Sequence, residues 1–229
     1  MNTLAIDIGG SDLKVMVLDA QGTAITDTSR TPTPKPATPE AILDALVALA
    51  EQQPAFERVS CGFPGVVVDG VTLNAPNLDP SWNGTPLGPR LEALLSAPTR
   101  VANDADVQGY GAIEGVGVEL TVTLGTGVGS GLFIDGTLVP NLELGHAPFR
   151  DGKSFEQILG KAGLAASGED AWNLALRDAL GMWTRLFNPR RIFLGGGHAR
   201  LCDDALPGHV EPISNCAGLR GGIALWRYS

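Results

Sequence analysis

Phosphate chemistry is within reach of the stretch Asp7-Ile8-Gly9-Gly10-Ser11, with Lys14 just beyond it. An apolar run ends there in an acid, two glycines and a hydroxyl. Gly9 and Gly10 let backbone N–H groups approach an anion, Ser11 adds a hydroxyl donor, and Asp7 stands where a metal ion or its water could be held. An ordinary hairpin with a glycine turn uses the same residues, and this stretch alone does not separate the two readings. The design recurs at Leu124-Gly125-Thr126-Gly127-Val128-Gly129-Ser130, between two apolar runs. This is not a dinucleotide fingerprint, because Ser130 occupies the place of the third glycine and no helix is expected after the turn. A β-turn with Thr123, Gly125, Thr126 and Gly127 can still cradle phosphate through its N–H groups. Gly152-Lys153-Ser154 imitates the end of a P-loop, but the required first glycine falls on Ala147 and no strand precedes it.

Hydroxyl chemistry is carried elsewhere. Asp104 follows a short apolar strand, Thr99 to Ala102, and opens a helix from about Ala105 to Ile113. An acid there can be a helix N-cap, or a general base with Asn103 positioning the hydroxyl it deprotonates, and the two roles are compatible. In an open α/β sheet the carboxyl end of a strand faces the usual ligand crevice. Glu143, His146 and Glu156 are three polar groups near one loop in a chain with 3 histidines. Carboxylates and a neutral imidazole suit vicinal hydroxyls, so these residues fit a sugar. Gly195-Gly196-Gly197 ends another strand, where flat backbone could lie against a nucleotide base or ribose; a plain strand-to-helix turn is the other reading.

The elements that must position these groups follow from periodicity and punctuation. The first hairpin is expected to continue into a third strand over Thr23 to Thr28. Thr31 to Pro36, with three prolines, is then an extended connector. Thr38 as N-cap, Pro39 at the first position and Ile42, Leu46, Leu49 and Ala50 at helical spacing define a helix that Pro54 ends. Arg58 to Phe63 is a strand into Pro64-Gly65, followed by a hairpin turning at Asp69-Gly70. The long loop from Leu73 to Leu87, including Asn77 and Trp82, reads as a substrate-lining loop, and Leu87, Leu91, Leu94 and Leu95 mark a short helix. After the second glycine turn the chain returns as a strand and turns at Asp135-Gly136. Glu156 opens a helix to about Leu164. Trp172, Leu176, Leu180, Trp183 and Phe187 form the buried stripe of a helix over 170–187, and Cys216 to Trp226 is a closing helix whose glycines imply close packing. Two glycine hairpins, one early in each half, point to two related lobes.

Composition bounds the partners. With 229 residues, 44% of them hydrophobic, the chain can bury a substantial core. A formal net charge of −9 argues against a nucleic-acid backbone or an anionic membrane as main partner. No apolar run approaches the roughly 20 residues that span a bilayer, and a charged n-region with a cleavage site is missing, so the cytoplasm is the expected location. Cys61, Cys202 and Cys216 are widely spaced and read as buried thiols rather than disulfide partners or zinc ligands.

Asp7-Ile8-Gly9-Gly10-Ser11 with Lys14, Cys61-Gly62-Phe63-Pro64-Gly65, Asn103-Asp104, the second glycine turn, Glu143-Leu144-Gly145-His146 and Leu194-Gly195-Gly196-Gly197 occur in the order seen in ROK-family sugar kinases. The resemblance covers nearly the whole chain. Within the family, Asn77-Leu78-Asp79 with Ser81-Trp82 and Gly84-Thr85, and Leu138-Val139-Pro140-Asn141, look most like polyphosphate glucokinases. The resemblance implies an α/β, actin/hexokinase-like (ribonuclease H-like) fold of two lobes with a central cleft. The expected lobes are residues 1–104 and 105–229, with the last helix packing back on the first. It implies Asp104 as base on the 6-hydroxyl of glucose, and Gly65, Asn77, Asn103, Glu143, His146 and Glu156 around the sugar. Asp7, Gly9, Gly10, Ser11, Lys14, Gly125, Thr126, Gly127 and Gly195 to Gly197 are then the phosphate or nucleotide residues. Mg²⁺ is expected through Asp7, with ATP or inorganic polyphosphate as donor and a homodimer as assembly. The cysteine-rich zinc motif of many family members is replaced by Phe149 to Glu156, so no zinc is expected. Asp12, beside the first turn, is expected to face solvent, where it would not repel the donor. The same fold with water as nucleophile would be a phosphatase. A non-catalytic sugar sensor like the ROK repressors ranks below, because the chain opens directly on the phosphate hairpin.

Overall fold

The structure is a computed structural model, and it describes residues 1–75, 78–203, 206–213, 219 and 221–226. The chain forms two compact units, Met1–Gly111 with Cys216–Ser229, and Ala112–Asn215.

In the first unit, β1 (Thr3–Ile8), β2 (Asp12–Leu18) and β3 (Ser29–Pro32) run antiparallel, α1 (Pro39–Ala50) follows, and β4 (Arg58–Phe63) joins β1 in parallel. The small hairpin β5 (Val67–Val68) and β6 (Val71–Thr72) turns at Asp69 and Gly70, both at positive φ. Helix α2 (Leu87–Leu95), strand β7 (Thr99–Asn103) and helix α3 (Asp104–Tyr110) complete it. The sheet order is β3-β2-β1-β4-β7. Strand β1 is buried along most of its length, as a central strand with both faces covered must be. In α1 the Thr38 hydroxyl accepts the Ala41 N–H at 3.3 Å, and Ile42, Leu43, Leu46 and Leu49 are buried against the sheet.

Three expectations change here. The third strand is Ser29–Pro32 rather than residues 23–28, because the chain first makes a turn held by Asp19 and bridges Leu18 only at Ala24. Pro32 is tolerated since it ends an edge strand. Trp82, expected in a substrate loop, is a core residue: it is fully buried, donates Nε1–H to the Ala37 carbonyl at 2.8 Å and packs on Phe63 with ring centroids 5.0 Å apart. The boundary lies at Gly111 rather than residue 104, because α3 packs on β4 and on the C-terminal stretch. The described part of that stretch ends in a 3₁₀ turn, Gly222–Trp226. Its glycines do pack closely: a Cβ on Gly221 would lie 1.8 Å from the Val107 carbonyl oxygen, and Ser60 donates its hydroxyl to the Gly222 carbonyl at 2.6 Å.

The second unit repeats the plan. Strands β8 (Val118–Leu124), β9 (Val128–Ile134) and β10 (Thr137–Val139) are antiparallel, and a 3₁₀ turn, Leu144–His146, follows. The small hairpin β11 (Pro148–Arg150) and β12 (Lys153–Ser154) leads to helices α4 (Phe155–Leu159), α5 (Lys161–Ser167) and α6 (Glu169–Phe187). Strand β13 (Arg191–Gly195) joins β8 in parallel, and β14 (Val210–Pro212) joins β13. The order β10-β9-β8-β13-β14 matches that of the first sheet strand for strand. Trp172, Leu176, Leu180 and Trp183 of α6 are buried as the core stripe. The single helix expected from Glu156 to Leu164 is broken at Gly160, where the backbone passes so close to the Thr126 carbonyl oxygen that a Cβ would sit 2.8 Å from it. The false P-loop is the β11–β12 turn, with Asp151 and Gly152 at positive φ and Ser154 capping α4.

Candidate active site

The first glycine turn joins β1 to β2. The Gly9 amide closes it on the Asp12 carbonyl at 3.0 Å, and a Cβ on Gly9 would lie 2.8 Å from that oxygen, so the glycine is needed for the turn itself. The outward carbonyls are occupied: Thr33 donates its hydroxyl to Gly9 at 2.6 Å and Lys35 its ammonium to Gly10 at 3.3 Å. Among the described residues the amides of Gly10 and Ser11 have no backbone partner. With carbonyls turned to donors and amides left over, the turn is arranged for an anion.

Asp7 and Lys14 face each other across β1 and β2 and form an ion pair at 2.9 Å. Burial pulls the Lys14 ammonium down, but Asp7, through charge and hydrogen bond, and Asp12 outweigh it, so its pKa stands above the ordinary lysine value. Asp12 is thus not simply solvent-facing. It is half-buried on the Lys14 face of β2, and the lysine answers its charge.

On the other side of Asp7 the register runs Asp7, Gly62, Ala102 across β1, β4 and β7. Asp104 follows directly at the end of β7. A Cβ on Gly62 would touch the Asp104 Cα at 3.4 Å and its Cβ at 3.6 Å, so Gly62 keeps the sheet open between the two acids. Asn103 caps α3, accepting the Ala105 N–H at 2.8 Å and the Asp106 N–H at 3.3 Å, and its amide donates to the Gly65 carbonyl at 3.1 Å. The N-cap anticipated at Asp104 therefore belongs to Asn103, with Asp104 the first helical residue and its Oδ1 2.8 Å from the Ala105 N–H. Asn103, expected against the sugar, already uses both ends of its amide to tie Gly65 to the end of β7. Gly65 is itself pinned, since a Cβ would lie 2.1 Å from the Asn74 carbonyl oxygen. Asn77 lies outside the described residues.

In the second unit the Gly125 amide bonds the Gly127 carbonyl at 3.0 Å, and the carbonyls of Gly125 and Thr126 both accept the Lys161 N–H, at 2.9 and 3.2 Å. Thr126 is exposed at the tip. Thr123 pairs with Gly195 as Asp7 pairs with Gly62 in the first sheet. Gly196, at φ 85°, lies on the end of β8, where a Cβ would be 2.2 Å from the Leu124 carbonyl oxygen. The glycine triplet therefore has a packing reason at its centre, while Gly197 has open space where a Cβ would stand.

Glu143, His146 and Glu156 come together as a group whose charges act on one another. Burial pushes the Glu143 carboxyl above the ordinary glutamate range, His146 opposes the shift and Glu156 adds to it. Glu156 reaches the glycine turn: its Oε2 accepts the Val128 N–H at 3.3 Å, and a Cβ on Gly127 would lie 2.2 Å from that oxygen. Ser130 holds the Glu143 loop in place, donating its hydroxyl to the Leu142 carbonyl and accepting the Leu144 N–H at 3.1 Å. Gly145 lets that loop lie on β9, since a Cβ would be 2.3 Å from the Val128 carbonyl oxygen. Sequence reasoning used Ser130 only to reject a dinucleotide motif and missed its role, although a hydroxyl in an apolar strand opposite a polar loop is a usable signal. It also missed Gly62 as the spacer.

Among the described residues no cluster of three or more His, Cys, Asp or Glu is arranged to hold a metal. Asp7 alone, a partly exposed carboxylate beside the first turn, fits a hard cation held through water and donor phosphate oxygens. Cys61 is buried as expected, whereas Cys202 is only half-buried; burial raises the thiol pKa of Cys61 strongly and that of Cys202 to about 11, so neither is held as a thiolate, and Cys216 lies outside the described residues.

These features define a protein of the sugar-kinase class with the actin/hexokinase-like fold. The chain belongs to the ROK family, whose profile matches residues 3–157. It is 34% identical to a polyphosphate glucokinase of Mycobacterium leprae (strain TN) over 94% of this chain and 72% of the relative. An N-acetylmannosamine kinase of Escherichia coli (strain SE11) is 40% identical over 61% of this chain and 50% of its own length. The crystal structure of an inorganic polyphosphate/ATP-glucomannokinase from Arthrobacter sp. strain KM superimposes with a TM-score of 0.87 at 32% identity, covering 99% of each chain.

Proposed function

We propose that the protein transfers a phosphoryl group from inorganic polyphosphate or ATP to the 6-hydroxyl of glucose, in the cytoplasm and as a homodimer. The observation that carries the reaction is Asp104 at the carboxyl end of a parallel strand, capped by Asn103 and separated from Asp7 by Gly62. The relatives named polyphosphate glucokinase and glucomannokinase support the donor and the sugar. The resemblance to the family supports the homodimer. That no helix among the described residues is long and apolar enough to cross a membrane is consistent with the location.

Asp104 takes the proton of the attacking hydroxyl, and Asn103 holds Asp104 in place by capping its helix. Glu143, His146 and Glu156 accept and donate hydrogen bonds to the other sugar hydroxyls, with Gly65 and Asn77 as further sugar contacts. Once a bound sugar covers these groups, each bond is costly to leave unmade, which favours one hydroxyl pattern over another. The amides of Gly10 and Ser11, with the Gly125–Gly127 turn, hold donor phosphates in line, and Lys14 offsets Asp7 and Asp12 beside them. Asp7 is the residue that would hold a Mg²⁺ ion, which would supply neutralising charge to those phosphates.

Asp104→Asn tests this reading. Removing the base should lower kcat by about 10²–10⁴-fold while glucose affinity, measured by calorimetry, stays within a few fold of wild type. Near-normal turnover in that variant contradicts the assignment.

A further inference from the structure

Three consecutive carbonyls of the first glycine turn are tied to one short segment. Gly9 accepts the Thr33 hydroxyl at 2.6 Å, Gly10 the Lys35 ammonium at 3.3 Å and Ser11 the Thr33 N–H at 2.8 Å. Thr33 is buried and follows directly on β3, whose last residue, Pro32, pairs with Asp12 at the start of β2. Pro32, Pro34 and Pro36 restrict the backbone on either side of Thr33 and Lys35, so the segment that meets the turn has little freedom of its own.

Both peptides of the turn, Gly9–Gly10 and Gly10–Ser11, are trans, and a trans peptide is planar with its C=O and N–H on opposite sides. Fixing the Gly9 carbonyl therefore directs the Gly10 N–H away from the Thr33–Lys35 segment, and fixing the Gly10 carbonyl does the same for the Ser11 N–H. These are the two amides without a backbone partner among the described residues. The peptide joining two glycines is also the one that turns over most easily, because neither side has a Cβ to resist it. Turned over, it would present a carbonyl oxygen to an incoming anion in place of a donor.

We propose that Thr33 is a positioning residue for phosphoryl transfer. Its hydroxyl locks the Gly9–Gly10 peptide with the N–H toward the donor phosphate, and the exposed Lys35 holds the Gly10–Ser11 peptide more loosely. This rests on the kinase reading in taking the first glycine turn as a donor site. Acting through the turn, Thr33 governs the rate of transfer and leaves the sugar's affinity alone.

Thr33→Val keeps the branched shape and removes the hydroxyl, whereas Thr33→Ser keeps the hydroxyl. At saturating glucose, with ATP or polyphosphate, Thr33→Val should lower kcat by roughly 10–100-fold, while glucose affinity by calorimetry stays within about twofold of wild type. Thr33→Ser should recover most of that loss. A residue serving only the fold would lower the melting temperature and leave kcat per folded molecule unchanged, which overturns the proposal. Amide NMR during titration with pyrophosphate reads the turn without any turnover. In wild type and Thr33→Ser the Gly10 and Ser11 signals should shift, and in Thr33→Val the Gly10 shift should be lost. Equal shifts in all three proteins, or none in wild type, overturn the proposal. Should Thr33→Val not fold, Lys35→Gln decides by the same titration: a reduced Ser11 shift supports the clamp and an unchanged one contradicts it. If wild type makes no sugar phosphate from any donor, the kinase reading falls and the titration still decides the proposal. If it does, and Thr33→Val turns over normally, the proposal falls and the kinase reading stands.

Discussion

At the scale of single residues, Glu143 shows how the site trades stability for binding. Its carboxyl is held above the ordinary range mainly by burial, so the folded protein binds a proton more readily than the unfolded chain. Stability attributable to this group therefore falls as pH rises from the ordinary glutamate value through the raised one, and at neutral pH the ionised carboxylate is a net burden. Ionisation is what a hydroxyl acceptor needs. We expect Glu143→Gln to raise the melting temperature at pH 7 slightly and to raise the KM for glucose about tenfold or more. In wild type the same KM should climb on acidification, starting above the ordinary glutamate range, and the variant should lack that limb. A variant that melts lower and keeps its sugar affinity would show that the carboxylate serves the fold and not the ligand.

At the scale of elements, the site depends on a few close approaches. Ser130 in β9 satisfies both a carbonyl and an amide of the Glu143 loop, and Gly145 permits that loop to lie on the strand. Ser130→Ala strands two backbone groups at a cost of about 1–3 kcal/mol, so we expect a lower melting temperature and a raised glucose KM, with donor KM little changed. A parallel rise in both KM values would place the loop's influence on the donor instead. The legibility of the sequence follows the same division. Helix α1 was readable because Thr38, Pro39 and the apolar spacing all agree, and both glycine hairpins because strand alternation flanks them. The edge strand β3 was not, since its four residues carry no buried apolar alternation and end in Pro32, which only the sheet edge tolerates. The long loop was misread for a similar reason: polar residues surround Trp82, yet a carbonyl at Ala37, remote in sequence, satisfies its indole. Close approaches such as Gly62 beside Asp104 depend on strands that are distant in the chain, so no local pattern announces them.

At the scale of the molecule, two sheets with the same strand order carry the two glycine turns at equivalent places. In the first unit the C-terminal stretch completes the packing. Trp226 lies under Arg58 and Arg100, 5.1 and 4.5 Å from the guanidinium carbons, and donates its indole N–H to Ser60 at 2.9 Å. Ser60 is two residues before Gly62 on β4, so this contact steadies the strand next to Asp104. Trp226→Ala should cost about 2–4 kcal/mol, read as a shift of the urea midpoint, with the loss in kcat smaller than that of Asp104→Asn. An unchanged midpoint would mean the stretch adds nothing to the unit.

The central claim is that the phosphoryl group goes to a sugar hydroxyl. Phosphorus NMR of the wild-type protein with Mg²⁺, glucose and either polyphosphate or ATP tests it most directly. The predicted result is a phosphomonoester signal of glucose 6-phosphate that grows in step with donor consumption, with little free phosphate in its place. Free phosphate without any sugar ester, at the same rate whether or not glucose is present, would contradict the account and leave a phosphatase.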